Sequence, residues 1–143
     1  MRGYEMFKWR RRQRFIHGEL QVYYSLNCTN CRRVLGFDVI VDEEGDIRIK
    51  WLEPTNFRKT LEMLKKKRLY DYRLLNISEG EVADEVYSRT KMYRFWLPLV
   101  IGRKIVGECW EGVKPDLSVE EYMDILLGRV PPPEPVSVYA YSR

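Results

Sequence analysis

From residue 35 to residue 51 apolar and polar positions alternate. Leu35, Phe37, Val39 and Val41 fall on one face. Ile47, Ile49 and Trp51 share one face of a returning run, with Arg48 and Lys50 opposite. That period of two predicts a β-hairpin with one wet face, turning at 42–46 and ended by Glu53-Pro54. Residues 21–26 are β-branched and aromatic and run straight into Asn27-Cys28-Thr29-Asn30-Cys31, so a short buried strand precedes a loop. The period then lengthens. Thr55 or Asn56 caps a helix reaching about Arg68, with Phe57, Leu61 and Leu64 inward. Residues 70–77 read as a strand. Ser78-x-x-Glu81 and Ser118-x-x-Glu121 are capping boxes opening two further helices. The first turns Val82, Val86 and Tyr87 inward, the second Val119, Tyr122, Ile125 and Leu126, with Gly128 just past its end. Residues 95–101 and 104–110 read as a second hairpin around Gly102-Arg103. Pro131-Pro132-Pro133-Glu134-Pro135 then opens an extended tail.

This order predicts an α/β fold, a mixed central sheet flanked by helices with an extra β-hairpin. The organisation is a basic arm (1–19), one domain (20–128) with the hairpin inserted at 34–54, and a Pro-rich tail (129–143). The length agrees, since 143 residues suit one domain of roughly 150. Charge changes the picture only at one end. The net charge is +4, yet residues 1–14 hold Arg2, Lys8, Arg10, Arg11, Arg12 and Arg14 against Glu5 alone. The body is therefore close to neutral. Phe7, Trp9 and Phe15 interleave the cations, a pattern that suits phosphates and stacked bases. It equally suits an acidic protein or an anionic membrane surface, or a helix packed on the body.

Several chemistries are excluded. A single histidine, His17, cannot form a two-histidine HExxH zinc site, and no Walker A or GxGxxG sequence is present. No run approaches the roughly 18 apolar residues of a membrane span, and the N-terminal residues lack the apolar core of a signal peptide. A cytoplasmic protein without a membrane partner is the expectation. Three cysteines are too few for a disulfide framework.

Attention then falls on Cys28-Thr29-Asn30-Cys31. Two sulfurs at this spacing after a strand suit thiol–disulfide exchange, in which Cys28 ionises and attacks and Cys31 resolves the mixed disulfide. Arg32 and Arg33 follow directly, and nearby cations favour a thiolate. Cys28 is expected to be the exposed sulfur. Two other readings are open: half of a zinc site completed by Cys109 and His17, or a pair of inert buried thiols. Cys109 itself, with acids beside it, reads as a quiet thiol.

The ordered segments 21–31, 70–77, 81–91, 96–107 and 118–128 together resemble the glutaredoxin and thioredoxin superfamily. The resemblance implies a thioredoxin-like fold, with Cys28 as nucleophile, Cys31 as resolving thiol and Pro98 as a cis-proline. Leu97, just before it, would offer its backbone to an extended substrate. No metal or organic cofactor is required. Gly107-Glu108 stands where the family carries Gly-Gly, and its carboxylate disfavours glutathione, so a protein disulfide is the expected substrate, with an external reductant. The hairpin after the pair departs from the family, which continues directly into its first helix. It is either an insertion after one helical turn, or the sign of an irregular loop around the pair. As part of the fold it reads as an edge extension of the sheet. The alternative function is a non-catalytic binding protein on the same fold, holding nucleic acid or a protein through the basic arm, with the CxxC structural or zinc-bound.

Overall fold

The computed structural model describes residues 14–136 and the backbone of Ala140–Ser142. The basic arm up to residue 13, and the side chains of the tail from residue 137 on, lie outside the described residues. The strands are β1 (Glu19–Tyr24), β2 (Phe37–Val41), β3 (Ile47–Trp51), β4 (Asp71–Asn76), β5 (Arg94–Trp96), β6 (Leu99–Ile101), β7 (Cys109–Trp110) and β8 (Ala140–Ser142). The helices are α1 (Thr29–Leu35), α2 (Asn56–Lys66), α3 (Gly80–Thr90) and α4 (Val119–Leu126). None is long and apolar enough to cross a membrane.

The architecture is α/β around a mixed four-stranded sheet of order β4-β1-β6-β7. β1 lies inside it, parallel to β4 from Glu19↔Asp71 to Tyr24↔Asn76 and antiparallel to β6 from Gln21↔Ile101 to Tyr23↔Leu99. Covered on both faces, β1 reads as a continuous buried run from Leu20 to Tyr24 rather than an alternation. It starts and stops two residues earlier than its sequence suggests. The N–H of Cys28 donates to Ser25 O, so the chain already turns at Ser25.

The helices bury the stripes their spacing predicts. In α2 these are Phe57, Leu61 and Leu64, joined by Thr60, and the Thr55 hydroxyl caps the helix by accepting from Arg58 N–H at 3.3 Å. The helix stops at Lys66 because Arg68 turns into the left-handed region at φ 64°. α4 opens on the full Ser118/Glu121 capping box, and its inner face holds Met123 where Val119 was expected. Gly128 follows it at φ 77°, where an added Cβ would meet Lys104 O. The Ser78 box does not form. Ser78 N–H is taken by Asn76 Oδ1, and α3 starts later with Glu79 as a cap that makes no side-chain bond. Tyr87 is half-buried, stacked on Tyr93 rather than turned into the core.

Three segments depart further from expectation. The second hairpin is broken at Leu97–Pro98 into β5 and β6, and its returning strand is only two residues long. Gly107 and Glu108 both take positive φ, which coils the chain where an extended strand was predicted. The inserted hairpin has the predicted faces, pairing Phe37↔Trp51, Val39↔Ile49 and Val41↔Ile47, but it forms its own two-stranded sheet instead of extending the main one. Its burial falls from Phe37 at 1% exposed to Val41 at 68%. The tail, read as extended, returns to the body. Val136 N–H donates to Gly112 O, and β8 pairs antiparallel with β5 from Arg94↔Ser142 to Trp96↔Ala140.

Candidate active site

The chain after β1 makes one turn and enters α1. Cys28 is the residue that caps it. Its backbone is extended (φ −89°, ψ 108°), and its sulfur accepts from Cys31 N–H at 3.1 Å, the role a serine or aspartate oxygen has at other helix starts. Gly36 ends the helix in the left-handed conformation, its N–H bonded to Arg32 O at 2.8 Å. Of the two arrangements the sequence left open, the pair thus lies on a short regular helix with the hairpin inserted after it.

Both sulfurs are fully buried, Cys28 and Cys31 each at 0% exposure. This corrects the expectation of an exposed Cys28. The loop holding Leu97 lies over it, with the Cys28 thiol directed at Leu97 O at 3.9 Å. The Leu97–Pro98 bond is cis. The side chain of Leu97 is buried too.

The two thiols differ in acidity. The Cys28 thiol is held below its ordinary value. The main cause is a hydrogen bond from the Cys31 side chain; the N–H groups of Cys31 and Asn30 and the Arg32 charge add to it, against the opposing effect of burial. Cys31 moves strongly the other way, pushed up by burial and then by the neighbouring Cys28 sulfur.

The arginines divide. Arg32 lies beside Cys28 but spends its donors on Leu26 O, from Nε at 3.1 Å and from Nη2 at 2.8 Å. It braces the turn before the pair, and its charge is the smallest of the effects on the acidity of Cys28. Arg33 points away, paired with Asp116 at 2.9 Å in an exposed contact. The expected thiolate-stabilising role therefore falls to backbone and Cys31 donors, with Arg32 secondary.

Sequence reasoning missed Asn30. It is buried at 1% exposure, and its amide donates to Val113 O at 2.9 Å and to Leu97 O at 3.4 Å. Asn30 thus ties the first turn of α1 to both segments lying over it. A polar residue between two cysteines in an otherwise apolar core was the available signal. Asn30→Ala would leave Val113 O without this donor, at a cost of about 2 kcal/mol. Denaturant unfolding of the reduced protein checks this, and an unchanged midpoint would show that the amide carries no load.

The zinc reading is not assembled by the fold. His17 precedes β1 and Cys28 follows it, so the six-residue strand separates them by about 16 Å or more. The His17 ring lies against Tyr70. Cys109 is on β7, two strands from β1 and level with Gln21. Among the described residues no group of three or more potential ligands could hold a metal ion. Cys109 is a quiet thiol, raised by burial first and by Glu111 and Glu108 next. Comparison with family models, curated proteins and solved structures finds no match to this chain.

Proposed function

We propose that the protein is a thiol–disulfide oxidoreductase acting on protein disulfides through Cys28 and Cys31, on a thioredoxin-like frame. The observation that carries this reading is the placement of two sulfurs within one helical turn, with Cys28 as the cap accepting from Cys31 N–H at 3.1 Å and its thiol directed at Leu97 O beside the cis Leu97–Pro98 bond. The lowered Cys28 and raised Cys31 acidities agree with a division of roles. Exchange needs that division, because the attacking group must be a thiolate and the resolving thiol must wait. The order of elements outside the inserted hairpin adds support: strand, cysteine pair, two helices, parallel strand, helix, strands broken at proline and closing helix.

The chemistry balances as a two-electron reduction of substrate. The Cys28 thiolate attacks one sulfur of the substrate disulfide. That S–S bond breaks, a mixed disulfide forms, and the departing thiolate takes up a proton. Cys31 then loses its proton and attacks the Cys28 sulfur. The Cys28–Cys31 disulfide forms, the second substrate thiol leaves, and an external dithiol resets the pair. Because Cys28 is covered in the described state, the loop at Leu97 must open before substrate reaches it.

A redox titration in defined thiol buffers tests the reading, with alkylation and mass readout at each cysteine. The expected result is one reversible two-electron step confined to Cys28 and Cys31, between roughly −120 and −270 mV. If those two sulfurs form no mutual disulfide, the reading is wrong.

A further inference from the structure

The described chain starts beside a second cluster of cations. Ile16 N–H donates to Arg68 O at 3.0 Å and His17 N–H to Leu69 O at 2.8 Å, which fixes the residues before β1 to the end of α2. A groove of about 740 Å³ lies there. Arg14, Lys59, Lys65, Lys66 and Arg68 bring five cations to it. Glu62 is the one acid among its described lining residues, and its carboxylate accepts from the Tyr72 hydroxyl at 2.5 Å. Lys65 leans toward Asp71 at 3.8 Å.

We propose that this groove binds single-stranded nucleic acid. Five cations around one concave surface meet the first requirement, neutralising a run of phosphates. Apolar surface among them meets the second. Phe15 lines the groove with the Arg14 guanidinium 4.8 Å from its ring centroid, and Met63 lines it at 39% exposure. Bases stack on such surfaces, whereas free phosphate has no use for them. In sequence the arm also interleaves rings and cations, Phe7-Lys8-Trp9-Arg10-Arg11-Arg12, ending two residues before Arg14. The fold sets Lys65, Lys66 and Arg68 beside Arg14 and Phe15, the residues that lead into β1. The site is separate from the cysteines. Arg14 and Arg68 adjoin the N-terminal ends of β1 and β4, and Cys28 follows the far end of β1.

The test is fluorescence anisotropy of the full chain with a labelled oligo-dT of about 16 nucleotides, titrated from roughly 50 to 200 mM salt. The parent should bind with steep salt dependence. Arg14→Gln/Lys59→Gln/Lys66→Gln should bind at least about tenfold more weakly at the lowest salt, with the log–log slope shallower by about 2. Circular dichroism establishes whether the triple variant folds. If it does not, Lys59→Gln alone should lower the slope by about 0.7. The proposal is overturned if the parent does not bind the oligonucleotide, or if the folded variants keep its affinity and slope. Preference for equimolar phosphatidylserine–phosphatidylcholine vesicles, or for polyglutamate, over the oligonucleotide overturns it equally.

Discussion

Cys31→Ala protein is expected to stall on its substrate. Cys28 can still attack, but nothing remains to resolve the mixed disulfide, so a covalent adduct through Cys28 should accumulate and multiple turnover should fall to background, a loss of at least about a hundredfold. Cys28→Ser should form no adduct at all. Mass analysis after a nonreducing quench separates the two outcomes. An active Cys28→Ser protein would remove Cys28 from the chemistry. The same variants carry a pH test. The rate of Cys28 alkylation follows its thiolate fraction, and a lowered pKa places the inflection below that of a free thiol near about 8.5. The Cys31 side-chain hydrogen bond is the largest cause of that lowering. Cys31→Ala removes the donor, so the inflection should move to higher pH. Cys31→Ser keeps an O–H donor, so it should move less. A Cys31→Ala profile that coincides with the parent would show that the partner thiol does not set the acidity of Cys28. The buried state of Cys28 adds that alkylation should be slow in native protein and fast once it is unfolded.

The second large effect is on stability. Trp110 is 1% exposed and sits among aromatic rings from two helices, with Phe57 at 6.4 Å and Tyr122 at 5.9 Å between centroids. Phe57 and Tyr122 themselves meet edge-on at 5.2 Å. This cluster joins β7 at the sheet edge to α2 and α4, and it has no substitute if its centre is removed. Trp110→Ala should cost about 3–5 kcal/mol, through lost burial and the cavity left behind. Trp110→Phe should cost much less. It keeps a ring in place and removes an indole N–H that has no hydrogen-bond partner among the described residues, a group that costs about 1–3 kcal/mol to bury. Equilibrium denaturation of the reduced proteins checks both. A small loss for Trp110→Ala would mean that the helices hold the edge strand by other contacts.

What was legible in the sequence followed local periodicity. The 3.6-residue stripe of α2, the Ser118 box of α4 and the alternating faces of β2 and β3 appear where the residues put them, because each is decided by neighbours a few positions away. The losses occurred where distant partners decide. Ser78 does not cap α3: its N–H donates to Asn76 Oδ1 and the cap falls one residue later, at Glu79. The second hairpin was overdrawn because positive φ at Glu108 is not encoded by any usual turn residue. The pairing of β8 with β5 joins segments more than forty residues apart and left no local trace. At the site, the spacing of Cys28 and Cys31 was readable, whereas their burial and the cross-links of Asn30 were not. Arg33 shows the converse error: adjacency in sequence suggested a thiolate partner, and helical geometry turned it to Asp116.

The inserted ribbon begins and ends at one place. Leu52 N–H donates to Gly36 O at 2.9 Å and Arg58 Nη1 donates to both Leu35 O and Leu52 O, so the chain leaves the body after α1 and re-enters before α2 at one neck. Phe37, Trp51 and Tyr24 fasten that base with edge-on ring contacts. Everything beyond it hangs from a closed neck. Lengthening or shortening the ribbon therefore leaves the spacing between α1 and α2 unchanged, and loop closure grows only slowly with the residues added. Such a segment can be remodelled independently, beside a cysteine pair whose own geometry stays fixed.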